Sequence, residues 1–82
     1  MNIDFVGRRQ AVLARIRAAE QRFQRPSGAV RLLAVSKIQP TAAMIALAAA
    51  GQCCFGENYV QEALDKIAEL AALRLEWHLI GP

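Results

Sequence analysis

The sequence predicts an α/β fold, in which an amino-terminal helix precedes a βαβαβ unit of parallel strands. Short apolar runs begin at Val30, Gln52 and Leu75, stretches with helical apolar spacing lie between them, and glycine or proline separates the segments. Such alternation favours a parallel sheet. Three parallel strands leave one face uncovered, whereas all-parallel sheets are normally covered on both. We therefore expect residues 1–82 to be a single incomplete domain, the first part of a (β/α)₈ TIM barrel of roughly 200 or more residues.

The first predicted helix runs from about Ile3 to Phe23. Its apolar stripe is expected at Val12, Ile16, Ala19 and Phe23, which recur at helical spacing. Arginine and glutamine residues fill the positions between them. The helix is expected to end near residues 25–28, Arg-Pro-Ser-Gly, because proline and glycine stop helices.

The arginines of this helix raise the question of a nucleic-acid partner, since the chain carries a net charge of +3. They form no continuous basic run, and no aromatic residues alternate with them to stack on bases. The pattern favours a solvated helix face, with nucleic-acid binding as the weaker alternative.

Cellular location is predicted from three features. The first ten residues lack the basic-then-apolar order of a signal peptide. The longest alanine-rich stretch, MIALAAAG, is far shorter than a membrane span. Cys53 and Cys54 resemble no metal-ligand set and are expected to be buried, reduced thiols. These features predict a cytoplasmic protein without a membrane partner and without a metal site.

The first strand is predicted at Val30–Ser36, an apolar, partly β-branched run that suits a strand buried on both faces. The helix after it is expected to open at Pro40 and Thr41, with Thr41 as its cap. It is expected to close at Gly51.

The second strand is predicted at Gln52–Phe55, and Gly56-Glu57-Asn58 is expected to turn the chain into the next helix. On that helix Glu62 and Lys66 are expected to pair on the outer surface. Its apolar stripe is predicted at Val60, Leu64, Ile67 and Ala71. The third strand is predicted at Leu75–Ile80.

Polar residues follow each predicted strand, where parallel α/β folds carry their chemistry. Lys37 ends the first strand, Glu57 and Asn58 follow the second, and Gly81 follows the third. Strand alternation places Lys37 on the same face as Val35. An unprotonated lysine amine is a nucleophile that forms Schiff bases with carbonyl compounds. Position alone leaves a second interpretation open, in which Lys37 is a solvated charge at the end of a strand.

Three segments together, "LLAVSKIQP", "FGENYVQEALDKI" and "EWHLIGP", resemble the pyridoxal phosphate homeostasis protein family. This family consists of single-domain barrels similar to the amino-terminal domain of alanine racemase. The three blocks occur in the order of the family and at suitable spacing. The resemblance covers essentially the whole chain, which corresponds to the amino-terminal part of the family.

The resemblance implies that Lys37 holds pyridoxal 5'-phosphate as a covalent aldimine. It further implies that Val35 contacts the cofactor ring, that Asn58 lies on the rim beside it, and that His78 is the histidine of the family's Trp-His pair. For Asn58 a helix cap, and for His78 a hydrogen-bonded core position, remain as structural alternatives. Glu57 is expected to be a loop or capping carboxylate. The phosphate site is expected in the later part of the barrel, in loops after its seventh and eighth strands.

The function implied by the resemblance is non-catalytic pyridoxal phosphate binding and intracellular homeostasis of this cofactor, with no catalytic residue. Apoenzymes that use pyridoxal phosphate are the implied partners. The alternative is an amino-acid racemase-like or decarboxylase enzyme of the same barrel class, which needs a second acid/base. Tyr59 and His78 are the candidates for that role.

Overall fold

Residues 4–81 are described by the computed structural model, and their helices and strands follow the predicted order. The helices are α1 (Phe5–Arg22), α2 (Thr41–Ala49) and α3 (Val60–Glu69), with a short 3₁₀ helix at Ala71–Leu73, and the strands are β1 (Ala34–Val35), β2 (Cys54–Glu57) and β3 (Glu76–Leu79). Backbone contacts divide the chain into two compact units, one up to Leu32 and one from Leu33. The predicted helix start at Ile3 lies outside the described residues, as does Pro82.

Both ends of α1 are satisfied by local hydrogen bonds. Asp4 is the N-cap, and its carboxylate accepts a hydrogen bond from the Gly7 N–H at 2.8 Å. At the other end Gln24 adopts a positive φ of 58°, and the Arg25 N–H donates to the Glu20 carbonyl at 2.7 Å. This is a Schellman motif with glutamine in the left-handed position. The helix therefore ends before the predicted stop at residues 25–28.

The apolar stripe predicted for α1 is not its buried face in this unit. Phe23 is 68% exposed and Val12 is 38% exposed, whereas Glu20 is only 2% exposed. The Glu20 carboxylate accepts hydrogen bonds from the Val30 N–H and the Arg17 guanidinium, both at 2.9 Å. The bond from Val30, and then those from Arg17, hold the pKa of Glu20 below its ordinary value although burial opposes them. Glu20 can be buried because the chain after α1 and Arg17 supply hydrogen-bond donors to its carboxylate.

The three strands form one parallel sheet in the order β1-β2-β3, which confirms the predicted α/β class. The prediction of seven residues at Val30–Ser36 was too long, because only Ala34 and Val35 pair with β2 as strand residues. Val35 is 52% exposed, so β1 is not buried on both faces. The predicted Gln52–Phe55 strand lies two residues too early, because Gly56 and Glu57 continue the ladder to β3.

Gly51 closes α2 as predicted, but Thr41 is not the cap of this helix. Gly51 has a φ of +107°, and the Gln52 N–H donates to the Leu47 carbonyl at 3.0 Å, which closes the helix. Pro40 is the N-cap, and Thr41 is the first helical residue. Among residues 4–81, no helix is both long and apolar enough to cross a membrane.

One face of the sheet carries the hydrophobic core. Phe55 is fully buried, and Met44 of α2 and Leu70 after α3 pack with it. Partly buried side chains surround this cluster: Ala34, Leu47, Leu75 and Trp77. Because strand side chains alternate, Val35, Gly56 and His78 lie on the opposite face, which we call the Gly56 face.

Helix α3 is turned relative to the prediction. Val60 and Leu64, which were expected to be buried, are 58% and 54% exposed, whereas Lys66 is only 5% exposed. The predicted Glu62–Lys66 ion pair does form, at 2.8 Å, but its lysine is inside. Lys66 faces inward because Glu57 on β2 is only 1% exposed and forms an ion pair with it. A buried carboxylate requires such a compensating partner.

Candidate functional site

Lys37 lies in a tight turn just after β1, at the edge of the sheet where the strands end; we call this the carboxyl edge. The turn spans Ser36–Gln39, and the Gln39 N–H donates to the Ser36 carbonyl at 3.0 Å. The Lys37 side chain is exposed, and among residues 4–81 its amine contacts no hydrogen-bond acceptor. The lysine is therefore available to a ligand at the edge where the sequence predicts chemistry.

The turn that carries Lys37 is strained at the next residue. Ile38 has a positive φ of 63° and is 73% exposed. A turn of this kind normally has glycine or asparagine at its third position, and a β-branched residue is strongly disfavoured there. The Ile38 N–H donates to Glu62 Oε2 at 2.7 Å. A contact from α3 therefore helps to hold the strained residue in place.

A buried polar cluster lies directly beneath this turn, and we call its four residues the Lys66 network: Ser36, Glu57, Glu62 and Lys66. Lys66 Nζ donates to the Ser36 carbonyl at 2.6 Å, to Glu62 Oε2 at 2.8 Å and to Glu57 Oε2 at 3.0 Å. The Ser36 hydroxyl donates to the same Glu57 carboxylate. The three ammonium hydrogens thus match three acceptors, which satisfies a cation that would otherwise be costly to bury.

The network keeps Glu62 ionised. The hydrogen bond from the Lys66 ammonium, with a further bond from the Ile38 N–H, holds the pKa of Glu62 below its ordinary value, although desolvation opposes this. The carboxylate can therefore serve as acceptor for both donors at neutral pH.

Asn58 follows β2 directly and reaches across the carboxyl edge. Its amide nitrogen donates to the Gly81 carbonyl at 2.6 Å, and its Oδ1 is buried without a hydrogen-bond partner among residues 4–81. Tyr59 is the N-cap of α3, so the alternative of Asn58 as a helix cap is wrong. Glu57 is likewise neither a loop nor a capping residue, because it lies in β2 and binds Lys66.

Val35 and His78 lie on the Gly56 face in one row across the sheet, since both are in register with Gly56. The His78 side chain is 44% exposed, and its Nε2 lies 2.6 Å from Glu76 Oε2. Within residues 4–81, His78 is therefore partly exposed and paired with Glu76. The side chains of Ile80 and Leu33 cover the glycine between Val35 and His78, because a Cβ atom at Gly56 would lie 3.2 Å from Ile80 Cδ1 and 3.6 Å from Leu33 Cδ2.

The structure thus brings Val35 and His78 into one row on the Gly56 face, while Lys37 and Asn58 lie beyond the ends of their strands. Within residues 4–81 it shows no contact from the Lys37 amine to the other three predicted residues. Sequence reasoning missed Ser36, Glu57 and Lys66 as members of a site.

Strand alternation could have predicted the Lys66 network. Glu57 is two residues from Phe55 on the same strand, so both side chains lie on the face of the sheet that the helices cover. A carboxylate on that face needs a buried cation, and Lys66 is one of two lysines in the chain.

A second group of polar side chains spans β2 and β3. Cys54, Glu76 and His78 place one potential metal-ligating atom each within 4.8 Å of one another. Their atoms also bond within the group, with Cys54 Sγ 3.5 Å from Glu76 Oε2. Neither cysteine forms a disulfide, but Cys53 is exposed, so the prediction of two buried thiols holds only for Cys54.

Comparison with known proteins gives consistent matches. No family model matches the chain. The pyridoxal phosphate homeostasis protein of Pseudomonas aeruginosa is 59% identical over 71 residues, which are 87% of this chain and 31% of the relative. Its namesakes from Vibrio cholerae and Escherichia coli are 49% and 51% identical, over 87% and 83% of this chain. The chain covers 32% and 30% of these relatives.

A solved structure of PipY from Synechococcus elongatus with pyridoxal phosphate bound is 54% identical to this chain, with a TM-score of 0.64. The match covers 80% of this chain and 31% of PipY. The chain thus spans about a third of the length of the proteins it matches. At these identities, the chain is homologous to the pyridoxal phosphate homeostasis proteins and corresponds to an amino-terminal part of their TIM-barrel-like fold.

Proposed function

We propose that the protein represented by this chain binds pyridoxal phosphate without catalysing turnover, through a reversible Schiff base at Lys37, and that it serves intracellular homeostasis of this cofactor. The observation that carries the proposal is Lys37 itself, an exposed lysine on a fixed turn at the carboxyl edge whose amine has no acceptor among residues 4–81. The names of the relatives and the cofactor bound to PipY support it.

The residues at the carboxyl edge fit such a ligand. Asn58 Oδ1 is buried and unpartnered, so it can accept a hydrogen bond from a bound molecule. Val35 and His78 flank Gly56 on the same face of the sheet, where the Ile80 and Leu33 side chains also lie. We propose Lys37, Val35, Asn58 and His78 as the cofactor-binding residues of this chain.

Bound pyridoxal phosphate supplies an aldehyde and a phosphate. Lys37 would hold the cofactor through its amine, because the aldehyde would form a reversible Schiff base with that amine and release water. Val35 provides an apolar contact, and Asn58 accepts a hydrogen bond. The phosphate site belongs to barrel strands beyond the 82 residues, because phosphate in such barrels is held by loops after the seventh and eighth strands.

The proposal extends to location and partners. Two cysteines that form no disulfide, one of them exposed, are consistent with a reducing cytoplasm. Apoenzymes that need the cofactor would be its recipients, since a reversible Schiff base can release the aldehyde to them.

An absorbance titration tests the function. The chain is titrated with pyridoxal phosphate, and the same titration is repeated with Lys37→Ala. We expect a Schiff-base absorbance band in the unchanged chain alone, and no conversion of alanine or other amino acids once the band is present. An equal band in Lys37→Ala would contradict the assignment of the lysine. Steady turnover of an amino acid would instead support a racemase-like enzyme.

A further inference from the structure

The Lys66 network has no role in the proposed function, because none of its four residues is among the proposed cofactor-binding residues. Glu57 and Lys66 are 1% and 5% exposed, although glutamate and lysine are almost never fully buried unless they are paired. Replacing such an ion pair by apolar residues is often neutral or stabilising, so burial of the pair is weak evidence for a purely stabilising role.

The contacts of the network converge on the two residues that flank Lys37. On one side, the Ser36 carbonyl accepts a hydrogen bond from Lys66, and the Ser36 hydroxyl donates to Glu57. On the other side, the Ile38 N–H donates to Glu62. Neighbours on both sides of Lys37 are thus tied to β2 and α3, while the Lys37 side chain remains free to meet a ligand.

The conformation of the turn requires such ties. A β-branched residue at positive φ is strained and persists only where its surroundings impose that conformation. The Ile38 side chain is 73% exposed and contributes little packing of its own. The bond to Glu62 is charge-assisted, and Lys66 in turn fixes Glu62 at 2.8 Å.

We propose that Lys66 and Glu62 are positioning residues, which hold the Ser36–Gln39 turn so that the Lys37 amine is presented at the carboxyl edge for Schiff-base formation. This inference rests on the proposed function at Lys37. Neither residue touches the ligand; both act through the backbone of Ser36 and Ile38. Loosening the turn therefore weakens Schiff-base formation without removing the reacting amine.

The test uses variants of Glu62, because this residue is partly exposed and its loss leaves the buried pair of Lys66 and Glu57 intact. Glu62→Ala removes the acceptor of the Ile38 N–H, whereas Glu62→Gln retains a carbonyl acceptor in a side chain of the same length. Glu69→Gln is the control, since Glu69 is an exposed carboxylate of the same helix. Lys66→Met serves as a fourth variant that removes the central cation.

The first readout is amide hydrogen exchange, which requires no cofactor. In Glu62→Ala we expect exchange at Ile38 to accelerate by about tenfold or more, because a hydrogen bond to a charged acceptor is lost. Exchange at Glu76 in β3, whose N–H donates to the Cys53 carbonyl at 2.7 Å, should stay unchanged, which shows that the sheet remains folded. Glu62→Gln should restore most of the protection, and the control should leave it unaltered.

The second readout is the affinity of Schiff-base formation with pyridoxal phosphate. We expect it to fall about tenfold in Glu62→Ala and Lys66→Met, and by less in Glu62→Gln, in parallel with the exchange rates. Faster exchange at Ile38 with unchanged affinity would overturn the positioning role while the proposed function stands. Unchanged exchange at Ile38 in Glu62→Ala would overturn the positioning role as well. A chain with Lys37 in place that forms no Schiff base at all would refute the proposed function, and the positioning role with it.

Discussion

At the scale of single residues, the turn around Lys37 combines a free amine with a strained neighbour. Ile38 stands at a positive φ of 63° in a position that glycine or asparagine usually occupies. The strain is offset by the bond to Glu62, so the turn is set by contacts from α3 and not by the preferences of its own residues. Its conformation could not be predicted from the local sequence for this reason.

Replacing Ile38 by asparagine should stabilise the chain. Asparagine tolerates the left-handed region, and we expect Ile38→Asn to raise the free energy of unfolding by about 1 kcal/mol. The midpoint of urea unfolding, followed by Trp77 fluorescence, measures the effect. Ile45→Asn is the matched control, because Ile45 is 48% exposed but helical in α2. The control should be neutral or destabilising; destabilisation by Ile38→Asn would show that the turn is not strained.

The hydrogen bonds that Glu20 accepts at the end of α1 should depend on pH. The pKa of Glu20 in the folded chain is lowered. Its contribution to the stability of the fold is therefore complete above the ordinary pKa of 4.5 and is lost as the pH falls through the lower folded pKa. The amide resonance of Val30, which donates to Glu20, should therefore titrate in the acid range. Glu20→Gln should abolish this titration, and the exposed control Glu69→Gln should preserve it. A Val30 titration that persists in Glu20→Gln would disprove the link.

At the scale of the elements, the apolar runs and the helix-stopping glycine at position 51 were enough to predict order, type and approximate place. The facing of α3 could not be predicted, because Val60 and Leu64 form the stripe expected of a buried helix face and Glu62–Lys66 is an ordinary surface spacing. The orientation of α3 depends on Glu57, which lies in β2. The apolar periodicity of the α3 sequence alone carries no information about a residue in another element.

Phe55 should be the most sensitive residue of the core. It is fully buried and its ring centroid lies 6.1 Å from that of Trp77. Phe55→Ala should cost about 3 to 5 kcal/mol, which is as large as the stability that a core of this size usually supplies. Phe23→Ala is the control, since Phe23 is 68% exposed. Trp77 fluorescence should report unfolding in the first variant alone. Equal effects of the two substitutions would contradict the assigned core.

At the scale of the whole molecule, the chain spans about a third of its relatives, and many of its apolar side chains are exposed, including Tyr59, Val60 and Leu79. We propose that residues 1–82 are a single incomplete domain of a barrel. The resemblance and the strand order both point to Lys37 as the attachment lysine that we propose. The site around it could be predicted only in part, because the phosphate-binding loops that we propose lie outside the 82 residues.

The incomplete site should hold the cofactor weakly. We expect the 82-residue chain to lose pyridoxal phosphate on dialysis, whereas a chain with the full length of its relatives should retain it, because only the longer chain supplies the phosphate site. Absorbance after dialysis measures retention for both. A stoichiometric, dialysis-resistant complex of the 82-residue chain would show that the missing strands are not needed.

The central claim, that Lys37 is the attachment lysine, is tested most directly by trapping. The chain contains two lysines, Lys37 and Lys66, and Lys66 is buried in ion pairs. The chain is mixed with pyridoxal phosphate, reduced with borohydride and mapped by mass spectrometry. Arg15→Lys, at an exposed position of α1, adds an ordinary surface lysine as an internal standard. We predict an adduct on Lys37 well above that on the introduced lysine and none on Lys66; equal labelling of Lys37 and the introduced lysine would contradict the claim.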